Sequence, residues 1–311
     1  MVRADDGRHV GSAVVVGRGG SSVGTLGGAG LVASPTVPAG AGPCLRGIPD
    51  HHPVRRSDSD SASGRRPRLA ALGPKISRVN LLTEWEIQHP GGSVAEGHGA
   101  VGAITSRVVL RHQVDRTTVV LGSGQRDLSG LASRASAVGL DVVRRRSGGG
   151  AVLLRPEGMM WVDLLIPRGD PLWDDDVGRS SLWLGAAWVD ALAVVGVESD
   201  VHRGAHTTGL TGRAVCFVSR AAGEVLCGGR KVIGISQRRD RSGARFQCAA
   251  LFGDDAVTNS VAPLVDLLRL EPRAEALVEV EARVGGLPSG LGDPGPEELF
   301  DAFLGALGRT R

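Results

Sequence analysis

The chain has 311 residues and a net charge of +3, with 41% hydrophobic and 22% charged residues. That length suffices for one large domain or two small ones. The near-neutral balance excludes a strong overall field for nucleic acid, and no apolar run approaches the roughly 18 residues of a membrane-spanning helix.

From Met1 to Ser77 the sequence is rich in Gly, Ser, Pro and Arg and holds neither a period of 2 nor one of 3.6. Residues 1–78 are therefore expected to be a disordered, low-complexity extension. Asp5 and Asp6 sit where an export signal would be basic, and the apolar run Ala13 to Val16 is short, so a cytoplasmic protein is expected. A gene start placed too far upstream, with the product beginning near Val79, is an alternative account of the same composition.

From Val79 onward strands and helices alternate. Arg107 to His112 and Thr117 to Leu121 carry β-branched residues around Asp115-Arg116, which reads as a hairpin. Leu128 to Gly139 has helical spacing, Asp141 to Val143 returns to strand, and Met159 to Ile166 is another strand. Asp174-Asp175-Asp176 reads as the cap of an amphipathic helix through Trp183, Trp188 and Leu192. A strand-rich stretch follows, Ala214 to Ser219, Glu224 to Leu226, Val232 to Gln237 and Ala244 to Leu251, turning at Gly228-Gly229 and at Arg241-Ser242-Gly243. Helices close the chain, the last from Glu297 to Leu307 behind Pro294 and Pro296. The order predicts an α+β fold, a mixed sheet flanked by helices, in one domain over 79–311.

Two segments carry the chemistry. Of 36 basic residues only Lys75 and Lys231 are lysines, and Lys231 lies in Gly228-Gly229-Arg230-Lys231-Val232-Ile233-Gly234-Ile235-Ser236-Gln237. A lysine kept beside a glycine pair in an arginine-rich chain suggests a site for a compact ammonium that a guanidinium would not fit; a chance surviving lysine on a hairpin is the plainer account. Earlier, Arg145-Arg146-Ser147-Gly148-Gly149-Gly150-Ala151-Val152 links two strands. Its glycines would let backbone N–H groups close on an anion with charge from Arg145 or Arg146. This is neither a P-loop nor a dinucleotide fingerprint, because no Gly-Lys-Ser/Thr follows and no helix opens there.

Read together and in this order, the two segments resemble the lipoate-protein ligase A family of the biotin/lipoate ligase superfamily. Val119 to Gln125, with Gly122 and Gly124, is similar to the family's earlier strand and glutamine. The resemblance covers about Val79 to the C-terminus and implies a catalytic domain of the class II aminoacyl-tRNA synthetase and biotin/lipoate ligase type. It implies activation of lipoate or octanoate by ATP with Mg2+, and transfer of the acyl group to a lysine of a 2-oxoacid dehydrogenase lipoyl domain or the glycine-cleavage H protein. Lys231 would meet the carbonyl and phosphate oxygens. Arg145, Arg146, Ser147, Gly148, Gly149 and Gly150 would cradle the acyl-adenylate, and Gln125, Gly234, Ser236 and Gln237 would line the pocket.

Two departures stand out. Better-known ligases follow Gly-Gly-Gly-Ala-Val with a His-Asp pair, whereas Leu153, Leu154 and Arg155 stand here. The chain also leaves little room after the catalytic domain for a C-terminal accessory domain, so a separate accessory protein is an expected partner. Cys216, fifteen residues before Lys231, is similar to the cysteine of some octanoyltransferases in the superfamily. That implies an alternative, ATP-independent transfer from an acyl carrier protein thioester through Cys216. A silent binder of acyl-adenylate is the alternative from outside enzymology. Cys44, Cys216, Cys227 and Cys248 lack the close pairing of a zinc site, and neither a metal site nor a disulfide framework is expected. His202 and His206 read as loop histidines, Trp173, Trp183 and Trp188 as core, and Asp163 as orienting an arginine or the adenine side, or equally as a plain alternating strand position.

Overall fold

The computed structural model describes residues 84–126, 128–288 and 295–310. The extension expected over 1–78 lies outside them. Seven strands form the main sheet: β1 (Trp85–Gln88), β2 (Arg107–His112), β6 (Met159–Pro167), β7 (Asp200–Val201), β8 (Val225–Cys227), β9 (Arg230–Arg239) and β10 (Gly243–Leu251). Their spatial order is β1-β2-β6-β10-β9-β8-β7. β1 pairs with β2 in parallel, and β2 with β6, β6 with β10, and β10 with β9 are antiparallel. A second sheet has β3 (Thr118–Leu121) between β4 (Asp141–Arg144) and β5 (Val152–Leu154).

The predicted mixed sheet is present, with different local pairings. Arg107–His112 and Thr118–Leu121 are strands but make no hairpin, because β2 pairs with β1 and β6 while β3 joins the other sheet. The aspartates do not cap a helix. Asp174 accepts from the Asp176 amide at 2.8 Å and Asp176 from the Gly178 amide at 2.7 Å, forming turns, and helix α3 (Leu182–Val194) begins later without an acidic first turn. Ala214 to Ser219 is not a strand; Cys216–Val218 is a single 3-10 turn. Cys216 and Cys248 are buried free thiols.

Strand alternation divides the main sheet into two faces. Val162, Leu164 and Ile166 of β6, Phe246 and Cys248 of β10, and Ile233 and Ile235 of β9 pack against Trp188 and Leu192 of α3 and Phe300 and Phe303 of α6 (Pro296–Leu307). Trp188 stacks on Phe303 at 3.6 Å between centroids, so both helices share one seam over this face. The opposite face meets the small sheet and helices α4 (Ala262–Leu267) and α5 (Arg273–Arg283) through Val119, Leu153, Leu154, Trp161, Phe217, Leu264 and Val280. Among the described residues no helix is long and apolar enough to cross a membrane.

Candidate active site

The face away from α3 and α6 is laid out in rows by the register. Across β2, β6, β10 and β9, His112, Trp161, Ala249 and Gly234 stand opposite one another. Leu110, Asp163, Gln247 and Ser236 form the next row, and Val108, Leu165, Arg245 and Arg238 the third. Rows two residues apart lie about 7 Å from each other. In the strands nearest the site the surface therefore passes from apolar through polar to cationic within the length of a small ligand.

A cavity of about 420 Å³ lies over the first two rows. Its walls include Trp161, Gly234, Ala249, Val152, Cys216 and Phe217. Ser236, Gln247 and His98 also border it. A second cavity, about 410 Å³, is bordered by Arg146, Arg238, Arg245 and Asp240. Gln247 lines both.

The glycine loop is held against this site from two sides. A Cβ on Gly122 would collide with the Gly149 carbonyl, and one on Gly150 would lie 2.7 Å from the Cys216 amide nitrogen. Gly149 takes a left-handed φ of 96°. Close approach thus requires glycine at 122, 149 and 150, while Gly148 has open space around it. The Ala151 amide donates to the Ala214 carbonyl at 2.7 Å and the Cys216 amide to the Ala151 carbonyl at 2.9 Å.

Two residues expected to touch a ligand brace this loop. Arg145 is buried yet borders the first cavity, and its guanidinium donates to the carbonyls of Gly148 at 2.7 Å, Gly150 at 2.8 Å and Val120 at 3.2 Å. Gln125 accepts from the Gly122 amide at 2.9 Å and donates to the Ala214 carbonyl at 3.0 Å. Arg146 is exposed at the second cavity. Ser147 donates to Gln247 at 2.7 Å and lies 3.0 Å from the Ser236 hydroxyl, so the loop meets the polar row directly. Gly234 and Ser236 face the first cavity. Gln237 alternates to the other face, where it bonds Ser180 and the Val177 carbonyl.

Lys231 is completely buried. Its Nζ donates to the carbonyls of Cys216 and Ser219, each at 2.6 Å, and lies 3.0 Å from both Glu224 carboxylate oxygens. Glu224 also accepts from the Ala221 amide at 2.8 Å. The ammonium is thus satisfied behind the cavity wall, and it holds in place the turn that carries Cys216 and Phe217. The Phe217 ring centroid is 5.3 Å from Nζ.

The polar row contains a network anchored on Asp163, which is fully buried. The carboxylate accepts from Trp161 Nε1 at 2.7 Å and Arg245 Nε at 2.8 Å, and His112 Nε2 lies 3.0 Å away. Burial pushes the Asp163 carboxyl up, but the His112 hydrogen bond and the Arg245 charge outweigh it and hold the group below its ordinary range. Arg245 further donates to the Gly97 and Gly99 carbonyls, fixing the end of helix α1 (Val94–Gly97) on the sheet. Trp161 is sandwiched between His98 and His112, at 4.3 and 4.0 Å between centroids. Burial pulls His98 down to about 3, with Arg245, Arg145 and His112 adding to the shift and Asp163 opposing it. Asp163 does orient an arginine, Arg245. Trp161, Arg245, Gln247 and His98 were not singled out from the sequence. The available signal was polar residues at alternate positions of otherwise apolar strands.

The His202 ring lies 3.2 Å from the Ala205 carbonyl, and among the described residues no group of three or more His, Cys, Asp or Glu could hold a metal ion.

The sequence pattern of the lipoyl protein ligase A/B catalytic domain matches residues 100–308. The chain belongs to this family. The matched domain spans the glycine loop, Cys216 and Lys231. Among solved structures, the chain is similar to a bipartite lipoate protein ligase with its E2 lipoyl domain from Thermoplasma acidophilum. They share 16% identity, with 72% of this chain and 84% of that one covered and a TM-score of 0.50. A candidate lipoate protein ligase of the same organism gives 14% identity, 73% and 85% coverage and a TM-score of 0.49. A lipoate-protein ligase A bound with ATP gives 13%, 71% and 94%, and 0.45. No curated protein sequence matches the chain. The chain is an enzyme of the lipoate/biotin ligase family.

Proposed function

We propose that the enzyme is a lipoate-protein ligase that builds an acyl-adenylate across the three rows. The observation that carries this reading is the gradation from Trp161, Ala249 and Gly234 through Asp163 and Gln247 to Arg245 and Arg238. An octanoyl or lipoyl chain fills the first cavity, and the phosphate lies over the second, where Arg146 and Arg238 supply positive charge. The acyl carboxylate attacks the α-phosphorus of ATP, a carboxyl oxygen-to-phosphorus bond forms and pyrophosphate leaves. Mg2+ enters with the nucleotide and neutralises the leaving group. The amine of an acceptor lysine then attacks the acyl carbon, displacing AMP. The acceptor is a lipoyl domain or the glycine-cleavage H protein, the catalytic domain spans 79–311, and the work is cytoplasmic.

In this reading Lys231 is a positioning residue, since its ammonium holds the carbonyls of Cys216 and Ser219 and thereby the cavity wall. Arg145 and Gln125 serve the same end for the glycine loop.

A second reading rests on Cys216 bordering the acyl cavity. There the Cys216 sulfur attacks the carbonyl of an acyl carrier protein thioester, the carrier thiol leaves, and the acceptor lysine takes the acyl group from cysteine. Intact-mass analysis of a lipoyl-domain acceptor separates the two. Mass gain with lipoate or octanoate plus ATP and Mg2+, retained in Cys216→Ser, is the expected result. Gain only from the thioester, lost in Cys216→Ser, would replace the ligase by the transferase, and no gain from either would leave a silent binder.

A further inference from the structure

His98 lines the first cavity, is 6% exposed, and its Nε2 is buried without a hydrogen-bond partner. Its other ring nitrogen is committed. Gln247 Nε2 lies 3.1 Å from His98 Nδ1 and 3.4 Å from Asp163 Oδ2, while Gln247 Oε1 accepts from Ser147. A carboxylate can only accept, so the amide nitrogen of Gln247 must be the end that faces Asp163 and His98. That N–H points at Nδ1, which is then the bare nitrogen, and a neutral imidazole in this setting carries its proton on Nε2. Burial keeps the ring neutral over the physiological range. The result is a preset N–H donor with no protein acceptor, and leaving such a donor unpaired is costly.

Its place in the fold indicates what it would meet. The ring stacks on Trp161 of the apolar row and is bonded to Gln247 of the polar row. The next residues in the chain, Gly99 and Ala100, border the arginine-lined cavity. His98 thus stands where an apolar chain would give way to a phosphate. The group at that point of an acyl-adenylate is the carbonyl.

We propose that His98 donates a hydrogen bond from Nε2 to the carbonyl oxygen of the acyl group and so sets how deeply the chain enters the first cavity. This rests on the acyl-adenylate reading of the two cavities. The bond would hold the carbonyl oxygen in the ground state and meet the negative charge that develops on it as the acceptor amine attacks.

Two sulfamoyl adenosine analogues test it on the full chain by calorimetry: one octanoyl, the other with a methylene in place of the acyl carbonyl. The wild type should prefer the carbonyl compound by at least tenfold, the worth of one neutral hydrogen bond added to the preference of the arginine-lined cavity for the anionic acyl sulfamate over the uncharged methylene compound. His98→Phe, which keeps an aromatic ring on Trp161, should narrow the preference by about tenfold, and His98→Gln, which keeps an N–H donor, should narrow it less. An unchanged preference in His98→Phe, or equal binding by the wild type, would overturn the role of His98 while leaving the acyl site standing. Binding of neither compound by the wild type would overturn the acyl-adenylate reading and this proposal with it. A readout independent of variant folding is nitrogen NMR of 15N-histidine-labelled wild type. It should show Nε2–H on two histidines, His98 and the His112 that faces the Asp163 carboxylate, with one of the two protons moving downfield only on addition of the carbonyl compound; a single Nε2–H, or none that moves, would also overturn the proposal.

Discussion

Lys231 and Glu224 form a buried ion pair in which Nζ lies 3.0 Å from each carboxylate oxygen. The pair is enclosed further by the carbonyls of Cys216 and Ser219, so the ammonium's donors all point at oxygen. The retention of lysine in an arginine-rich chain has its physical explanation here, because a planar guanidinium has no room in a cage closed at 2.6 Å.

Lys231→Ala removes one partner of this pair and strands the Glu224 carboxylate. The expected loss is about 3–5 kcal/mol of folding stability, read by urea unfolding. Lys231→Met combined with Glu224→Gln should recover more than half of that loss, since no uncompensated charge remains. If the double variant is as unstable as the single one, the pair is not the source of the cost.

The three consecutive glycines are not equivalent. Gly150→Ala puts a methyl 2.7 Å from the Cys216 amide nitrogen and 2.8 Å from the Ala214 carbonyl oxygen, and should cost about 1–3 kcal/mol and lower acyl transfer sharply. Gly148→Ala meets nothing within 4 Å and should melt within a few degrees of the wild type. Thermal melting of the two variants side by side checks the contrast.

Burial of His98 makes stability depend on pH in a defined window. Its folded value is about 3 against an ordinary 6.5, so between these the unfolded chain binds the extra proton. Stability is fully present above about pH 6.5 and falls as the solution is acidified, by up to about 1.4 kcal/mol per pH unit. His98→Gln should lose this slope between pH 6.5 and 5, whereas the slope below pH 4 from Asp163 should persist. Chemical unfolding at several pH values measures both.

Gly234 faces the first cavity opposite Phe217, whose ring would lie 3.5 Å from an added Cβ. Gly234→Leu should fill the acyl cavity without touching the α3 and α6 side of the sheet. Competition between octanoate and butyrate for acyl transfer should then shift toward the shorter acid by at least tenfold, since each lost buried methylene contact weighs about 0.8 kcal/mol.

The sequence made the long apolar strands plain, since Met159 to Ile166 and Ala244 to Leu251 lie within β6 and β10. It was misleading where pairing is non-local. Asp115-Arg116 looks like a hairpin turn, but β2 finds its partners in β1 and in β6, about fifty residues on in register. Cys216 to Val218 has the composition of a strand, yet Lys231 draws the carbonyls of Cys216 and Ser219 onto one ammonium and the segment curls. The glycine loop and Lys231 were legible as motifs, while their inward roles were not, because sequence does not reveal which way Arg145 turns. His98, Asp163 and Gln247 meet only after folding brings together segments more than sixty residues apart. Their one local trace is the polar residue placed every second position in β10, Arg245 and Gln247, within an apolar run.

Because the site hangs from every second residue of β6, β9 and β10 while the residues between them form the core, the two faces can change independently under substitution and not at all under insertion. A point change at position 234, 247 or 249 re-shapes what is bound and leaves the packing beneath α3 untouched. One residue inserted into any of these strands would send Phe246 or Ile235 to the ligand and a charged or polar side chain into the seam. Diversification of specificity on this scaffold should therefore proceed by exchange at fixed strand length, with length variation confined to the connecting loops.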